Sequence, residues 1–202
     1  MVAIIDYNMG NLASVRNALA KIGAASKVVS DPDAVLNYDR VLLPGVGAFG
    51  DAMAHLRQNG MDEAIRAYAL SGRPMLGICL GMQLLFEKSE EFGEHEGLGL
   101  IPGEVKPFDT ARFKTPHKVP HMGWNALRRE ESPLFKGLPA SFYLYFVHSF
   151  HAVTDDAYTI GRTFYGYAFA AAVAKENVFG IQPHPEKSHD NGLRILQNFM
   201  EL

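Results

Sequence analysis

Pro74-Met75-Leu76-Gly77-Ile78-Cys79-Leu80-Gly81-Met82-Gln83 runs a short apolar stretch straight into a helical one. The stretch up to Cys79 reads as a buried strand and Leu80–Lys88 as the helix that follows it. The junction has the form G-x-C-x-G, which with serine in place of cysteine is the nucleophile elbow. Small residues on both sides of the nucleophile permit a tight, strained turn that lifts its side chain above the sheet edge. The helix that follows presents free N–H groups and a positive dipole end to it, a field that favours thiolate over thiol. A lone cysteine is more often buried and inert, but the flanking glycines and the junction favour a nucleophile here.

Upstream of this segment, Val2–Ile5, Ser26–Val29 and Val41–Leu43 are short apolar strands. They are separated by the turn Asn8–Asn11, a helix through Leu12, Val15, Leu19 and Ile22 that stops at Gly23, and the turn Asp31-Pro32-Asp33. Ala52–Leu70 has helical spacing with a break at Gly60. Alternation of this kind predicts a mostly parallel central sheet with helices on both faces. Beyond Gly93 the helical period is lost. Phe142–Val147 is an aromatic strand, Ala168–Val173 and Val178–Gln182 flank a turn at Ala174–Asn177, and a final helix spans Asn191–Met200. The expected fold is therefore α/β with an antiparallel extension on the same core. With no linker or repeat in view, residues 1–202 are read as one domain.

The chain has 202 residues, 48% of them hydrophobic and 20% charged, and a net charge of −3. No basic stripe follows a phosphate backbone, so a nucleic-acid partner is not expected. No apolar run approaches the roughly 18 residues that span a bilayer, and no membrane partner is expected. The first residues lack the pattern of a signal peptide. With one cysteine there is no internal disulfide, which suits a reducing compartment, and the expected location is the cytoplasm.

A nucleophilic thiol needs a base. Gly180-Ile181-Gln182-Pro183-His184-Pro185-Glu186-Lys187-Ser188 offers one: two prolines hold His184 extended, and residues two apart then point the same way, so Glu186 can orient its imidazole. Leu43-Pro44-Gly45-Val46-Gly47-Ala48-Phe49-Gly50 contains G-x-G-x-x-G, but it follows the third strand and no acidic residue ends a next strand at the distance a dinucleotide site requires. A glycine turn at a strand's carboxyl end can instead offer N–H groups to an oxyanion. His117 and His121 lie four apart, but Pro116 and Pro120 argue against the helix that would pair them. There is no second cysteine and no H-E-x-x-H, so no metal is expected.

Together these segments resemble the class I (triad) glutamine amidotransferases, in which G-x-C-x-G-x-Q carries the nucleophile and H-P-E completes the triad, on a flavodoxin-like core. Asp6-Tyr7, Gly10-Asn11-Leu12, PGVGAFG (44–50), GLGLIPGEV (97–105), VPHMGWN (119–125) and YFVHSF (145–150) narrow the likeness to one branch. Its glutaminase subunits hand ammonia to a (β/α)8-barrel cyclase subunit that closes the imidazole ring in histidine biosynthesis. The resemblance implies L-glutamine as substrate, no cofactor, and Cys79, His184 and Glu186 as catalytic residues. It implies oxyanion donors at Val46, Gly47 and Leu80, and glutamine contacts at Gly47, Gln83, Glu91, Ser149 and Phe150. It also implies a partner-facing group of His121, Trp124, Asn125 and Lys187. A glutaminase of another synthase and a stand-alone cysteine hydrolase are the alternatives; the N-terminal segment and VPHMGWN speak against the first, and Gln83, Glu91 and H-P-E against the second. Three positions depart from the branch's usual pattern: Asn8 for glycine, Pro183 for phenylalanine and Phe150 for tyrosine. Asparagine tolerates positive φ, so the turn at Asn8 is expected to survive.

Overall fold

The computed structural model describes residues 1–202, whose strands form one thirteen-stranded sheet. In chain order the strands are β1 (Val2–Ile5), β2 (Ser26–Val29), β3 (Arg40–Gly45), β4 (Met75–Cys79), β5 (Lys88–Ser89), β6 (His95–Glu96) and β7 (Glu104–Pro107). They continue as β8 (His121–Arg129), β9 (Ser141–His148), β10 (Phe150–Val153), β11 (Thr159–Tyr165), β12 (Tyr167–Lys175) and β13 (Val178–Ile181). The helices are α1 (Leu12–Lys21), α2 (Phe49–Gln58), α3 (Met61–Leu70), α4 (Leu80–Gln83) and α5 (His189–Glu201).

The order β2-β1-β3-β4-β13 is parallel throughout, the arrangement of a doubly wound sheet. β13 then pairs antiparallel with β12, and from there β10, β11, β8 and β9 extend the sheet in antiparallel register. Alternation along the parallel strands divides the core. Ala3, Ile5, Val41, Leu43 and Met75 point to the face covered by α2 and α3, through Phe49, Met53, Leu56, Ile65 and Tyr68. Val2, Ile4, Leu42, Leu76 and Ile78 point to the face covered by α1 and α5, through Val15, Leu19, Ile195, Leu196 and Phe199. Each such side chain contributes about 1.5–3 kcal/mol by leaving water, so a one-residue slip of register would be prohibitive.

Punctuation falls where the residues dictate. The Asn11 side chain accepts the Ser14 N–H at 3.2 Å and caps α1. Gly60, at φ +77, separates α2 from α3. Asn8 adopts φ +66 with its N–H on Asp6 Oδ1, so the turn is kept without glycine.

The helix expected over Leu80–Lys88 is one turn long. The segment after it supplies the reason: Leu98 N–H takes the Leu84 carbonyl at 2.8 Å, Leu100 N–H takes that of Leu85 at 2.8 Å, and Gly99 N–H takes that of Phe86 at 3.0 Å. Those carbonyls would otherwise serve the next helical turn. The strand expected to end at Leu43 continues through Pro44 to Gly45, paired with Ile78 and Cys79. No helix is long and apolar enough to cross a membrane.

Candidate active site

β4 ends and α4 begins at Cys79, whose φ of +56 and ψ of −113 form a strained corner. The neighbouring glycines make that corner possible. A Cβ on Gly77 would lie 2.5 Å from the Gly81 carbonyl oxygen, and one on Gly81 would lie 1.7 Å from that of Leu43. Gly45 gives Tyr7 room: a Cβ there would stand 2.4 Å from the phenol oxygen. Tyr7 donates to the Pro44 carbonyl, and burial, together with the nearby Cys79, raises its pKa far above the ordinary tyrosine value. With α4 only one turn long, the field at Cys79 comes from its first N–H groups rather than from a long helix dipole.

β13 lies parallel to β4, so the chain leaving it emerges beside Cys79. His184 is 2% exposed, and its Nδ1 lies 2.7 Å from Glu186 Oε1. Its backbone N–H donates to the Tyr145 carbonyl, and the Ser188 hydroxyl donates to the His184 carbonyl at 2.6 Å. The imidazole is thus held at both its backbone and its Nδ1, while buried Nε2 bonds to no other protein atom. Burial opposes a charge on this ring, but the Cys79 sulfur and the Glu186 carboxylate outweigh it and raise the His184 pKa to about 10.

One cavity of about 420 Å³ receives Cys79 and His184, with Val46, Gly47, Leu80, Gln83, Glu91, Ser149, Phe150, His148, Val147 and Pro120 on its walls. All the expected oxyanion and glutamine-contact positions therefore share the space above the sulfur. Gly47 has φ +102, and neither its N–H nor that of Val46 pairs with a backbone carbonyl. Leu80 is the first residue of α4. Glu91 Oε2 accepts the Phe49 N–H at 2.7 Å, capping α2; burial raises its pKa while that hydrogen bond works the other way.

The four residues expected to face a partner separate into two groups. Trp124 is 46% exposed and stacks on His189 at 5.0 Å, Lys187 is exposed and Asn125 half-buried. His121 is only 2% exposed and lies between the rings of Phe146 and Tyr165, so it cannot itself form part of the surface. Its nitrogens bond to His148 and Asn125. Two polar residues at the site were missed by the sequence reading. Gln182 is fully buried with its amide nitrogen 3.8 Å from Cys79 Sγ, and His148 lines the cavity. The two-residue period that pairs His184 with Glu186 also puts Gln182 on the side of His184, and that was the available signal.

The chain belongs to the class-I glutamine amidotransferases, whose family model matches residues 3–202. It is 66% identical to the imidazole glycerol phosphate synthase subunit HisH of Sulfurimonas denitrificans, over 98% of this chain and 97% of that protein. It is 60% identical to the HisH subunit of Wolinella succinogenes over the full length of both. Within the class it therefore falls among the HisH glutaminase subunits of imidazole glycerol phosphate synthase, in histidine biosynthesis. The fold is also similar to that of a crystallised glutamine amidotransferase, with a TM-score of 0.78 at 19% identity over 100% of this chain and 98% of that one. PurLQS from Thermotoga maritima gives a TM-score of 0.79 at 22% identity over 99% and 97%.

Proposed function

We propose that residues 1–202 act as one glutamine amidotransferase domain in which Cys79, His184 and Glu186 release ammonia from L-glutamine for a (β/α)8-barrel cyclase subunit. The observation that carries this reading is the pair His184–Glu186, 2.7 Å apart, with the free ring nitrogen beside a strained cysteine at the floor of a cavity. The Cys79 thiolate attacks the side-chain carbonyl carbon. The oxyanion is met by N–H groups at Leu80 and the Val46–Gly47 turn. Charged His184 gives its proton to the departing nitrogen, and the C–N bond breaks to leave ammonia and a thioester. Water, deprotonated by His184, then attacks the thioester, and collapse releases glutamate and restores the thiolate. Glu186 holds the imidazole and balances its charge. Gln83, Glu91 and the Ser149–Phe150 segment hold the glutamine, the Glu91 carboxylate being suited to its α-ammonium group.

The docking surface for the barrel is the exposed apolar face of β8, β9 and β11. Met122 is 62% exposed, Tyr143 61% and Phe164 64%, with Trp124 on the same face; Lys187 is exposed, and the Asn125 side chain turns inward to His121. Such a cluster of exposed aromatic and apolar side chains favours a permanent partner. We place the complex in the cytoplasm, where the single thiol stays reduced. Ammonia is lost unless an acceptor waits, so hydrolysis is coupled to the partner's ligand, with the Gly45–Gly47 turn as the gated element. Glutamate release by wild type and Cys79→Ala, with and without the barrel subunit and its nucleotide ligand, tests this. Turnover that needs both the partner and Cys79 supports the reading. Fast turnover by the lone chain, or turnover in Cys79→Ala, overturns it.

A further inference from the structure

The orientation of a buried polar chain around the site follows from one atom. The Phe150 carbonyl can only accept hydrogen bonds. The Gln83 atom 3.1 Å from it is therefore the amide nitrogen. That nitrogen also lies 3.0 Å from Gln182, which must turn its oxygen to it. The Gln182 amide nitrogen is thereby left facing Cys79 Sγ, at 3.8 Å. On the other side, His148 Nδ1 lies 2.7 Å from the same carbonyl and must carry a hydrogen. In a neutral ring His148 Nε2 then accepts from His121 Nδ1 at 2.9 Å, and His121 Nε2 accepts from Asn125 Nδ2 at 3.1 Å. The second Asn125 hydrogen goes to the Phe164 carbonyl at 3.0 Å. Both rings are neutral around pH 7: burial lowers the pKa of His148 to about 3 and that of His121 to about 4.

We propose that Gln182 is a positioning residue for Cys79, its amide nitrogen aimed at the sulfur because Gln83, fixed by the Phe150 carbonyl, donates to its oxygen. The inference rests on Cys79 being the nucleophile. Gln182 is fully buried and not on the cavity wall, so it acts through the sulfur and not on glutamine. An N–H aimed at sulfur interacts more strongly with a thiolate than with a thiol, and it holds one rotamer of Cys79. Two consequences follow for the site. The Phe150 carbonyl has both lone pairs occupied, so glutamine contacts in that segment fall to its N–H groups and the Ser149 hydroxyl. Both Gln83 amide hydrogens are also committed, so Gln83 can offer glutamine only its oxygen, as an acceptor.

Cys79 is the only cysteine, so its alkylation by iodoacetamide reads the thiol without glutamine or partner. Gln182→Met keeps the length and removes the donor. Gln182→Glu keeps the bond from Gln83 but turns a carboxylate oxygen to the sulfur, and it tests the same point if the Met variant does not fold. In the full-length chain we expect the midpoint of the alkylation rate against pH to rise by about one unit in Gln182→Met and further in Gln182→Glu. With the partner present, Gln182→Met lowers kcat about tenfold and leaves KM unchanged. An unshifted alkylation profile in the Gln182 variants, or a raised KM with unchanged kcat, overturns the inference. If Cys79→Ala abolishes hydrolysis while the Gln182 profiles stay at wild type, the nucleophile stands and only this inference falls.

Discussion

The parallel and antiparallel halves of the sheet treat their residues differently. All four residues of β1 and all five of β4 are buried, since helices cover both faces. Along β9 exposed and buried residues alternate over its first half, and β8 carries Met122 and Trp124 outward. The parallel half holds the strained corner and tolerates almost no added volume. The antiparallel half keeps one face open, and there it gathers the aromatic residues that suit a partner. β13 belongs to both, parallel to β4 and antiparallel to β12, and the His184 segment follows directly from it.

The largest effect expected is on chemistry: Cys79→Ala should lower partner-stimulated glutamate release by on the order of 10⁴-fold or more without unfolding the chain. A paired substitution contrasts the halves directly. In Gly81→Ala the new Cβ meets the Leu43 backbone, whereas in Gly161→Ala on β11 it meets the end of the Leu127 side chain at 2.9 Å. Urea unfolding should show a loss of about 3–5 kcal/mol for the first and about 1 kcal/mol for the second. Equal losses would break the contrast.

Trp124→Ala should change the stability of the isolated chain by less than about 1 kcal/mol, yet weaken the complex with the barrel subunit by about 2 kcal/mol or more, read by titration calorimetry. Unchanged affinity would remove the open face as the docking site. The smallest effect concerns pH. The depressed pKa values of His121 and His148 mean that the unfolded chain takes up protons first on acidification. Their contribution is full above about 6.5 and is lost as the pH falls through about 4 and 3. His184 has the opposite sign: its contribution is full below about 6.5 and is lost as the pH rises through about 10. His148→Gln should flatten the acid limb of the urea midpoint against pH, and Glu186→Gln should flatten only the alkaline limb.

The parallel half was legible because strands buried on both faces are unbroken apolar runs bounded by glycine, proline or aspartate. β8 was not expected as a strand: His121-Met122-Gly123-Trp124-Asn125 mixes inward and outward residues whose apolar members include the exposed ones. The length of α4 was misread because its competitor, the Leu98–Ile101 segment, lies more than ten residues away in sequence and local periodicity cannot register it. At the site, Cys79, His184 and Glu186 stood out through glycine and proline spacing. Gln182 did not, because its place is set by a hydrogen bond to Gln83, a residue on a different element.

β4 and β13 occupy the middle of the sheet, each with a neighbour on both sides. Their amides can exchange with solvent deuterium only when the whole domain opens, whereas those of β6 and β9 at the ends can exchange by local fraying. The cysteine corner and the histidine loop are thus moored to the part of the sheet where exchange is expected to be slowest. The open face of β8 and β9 can breathe while the geometry beneath the sulfur persists.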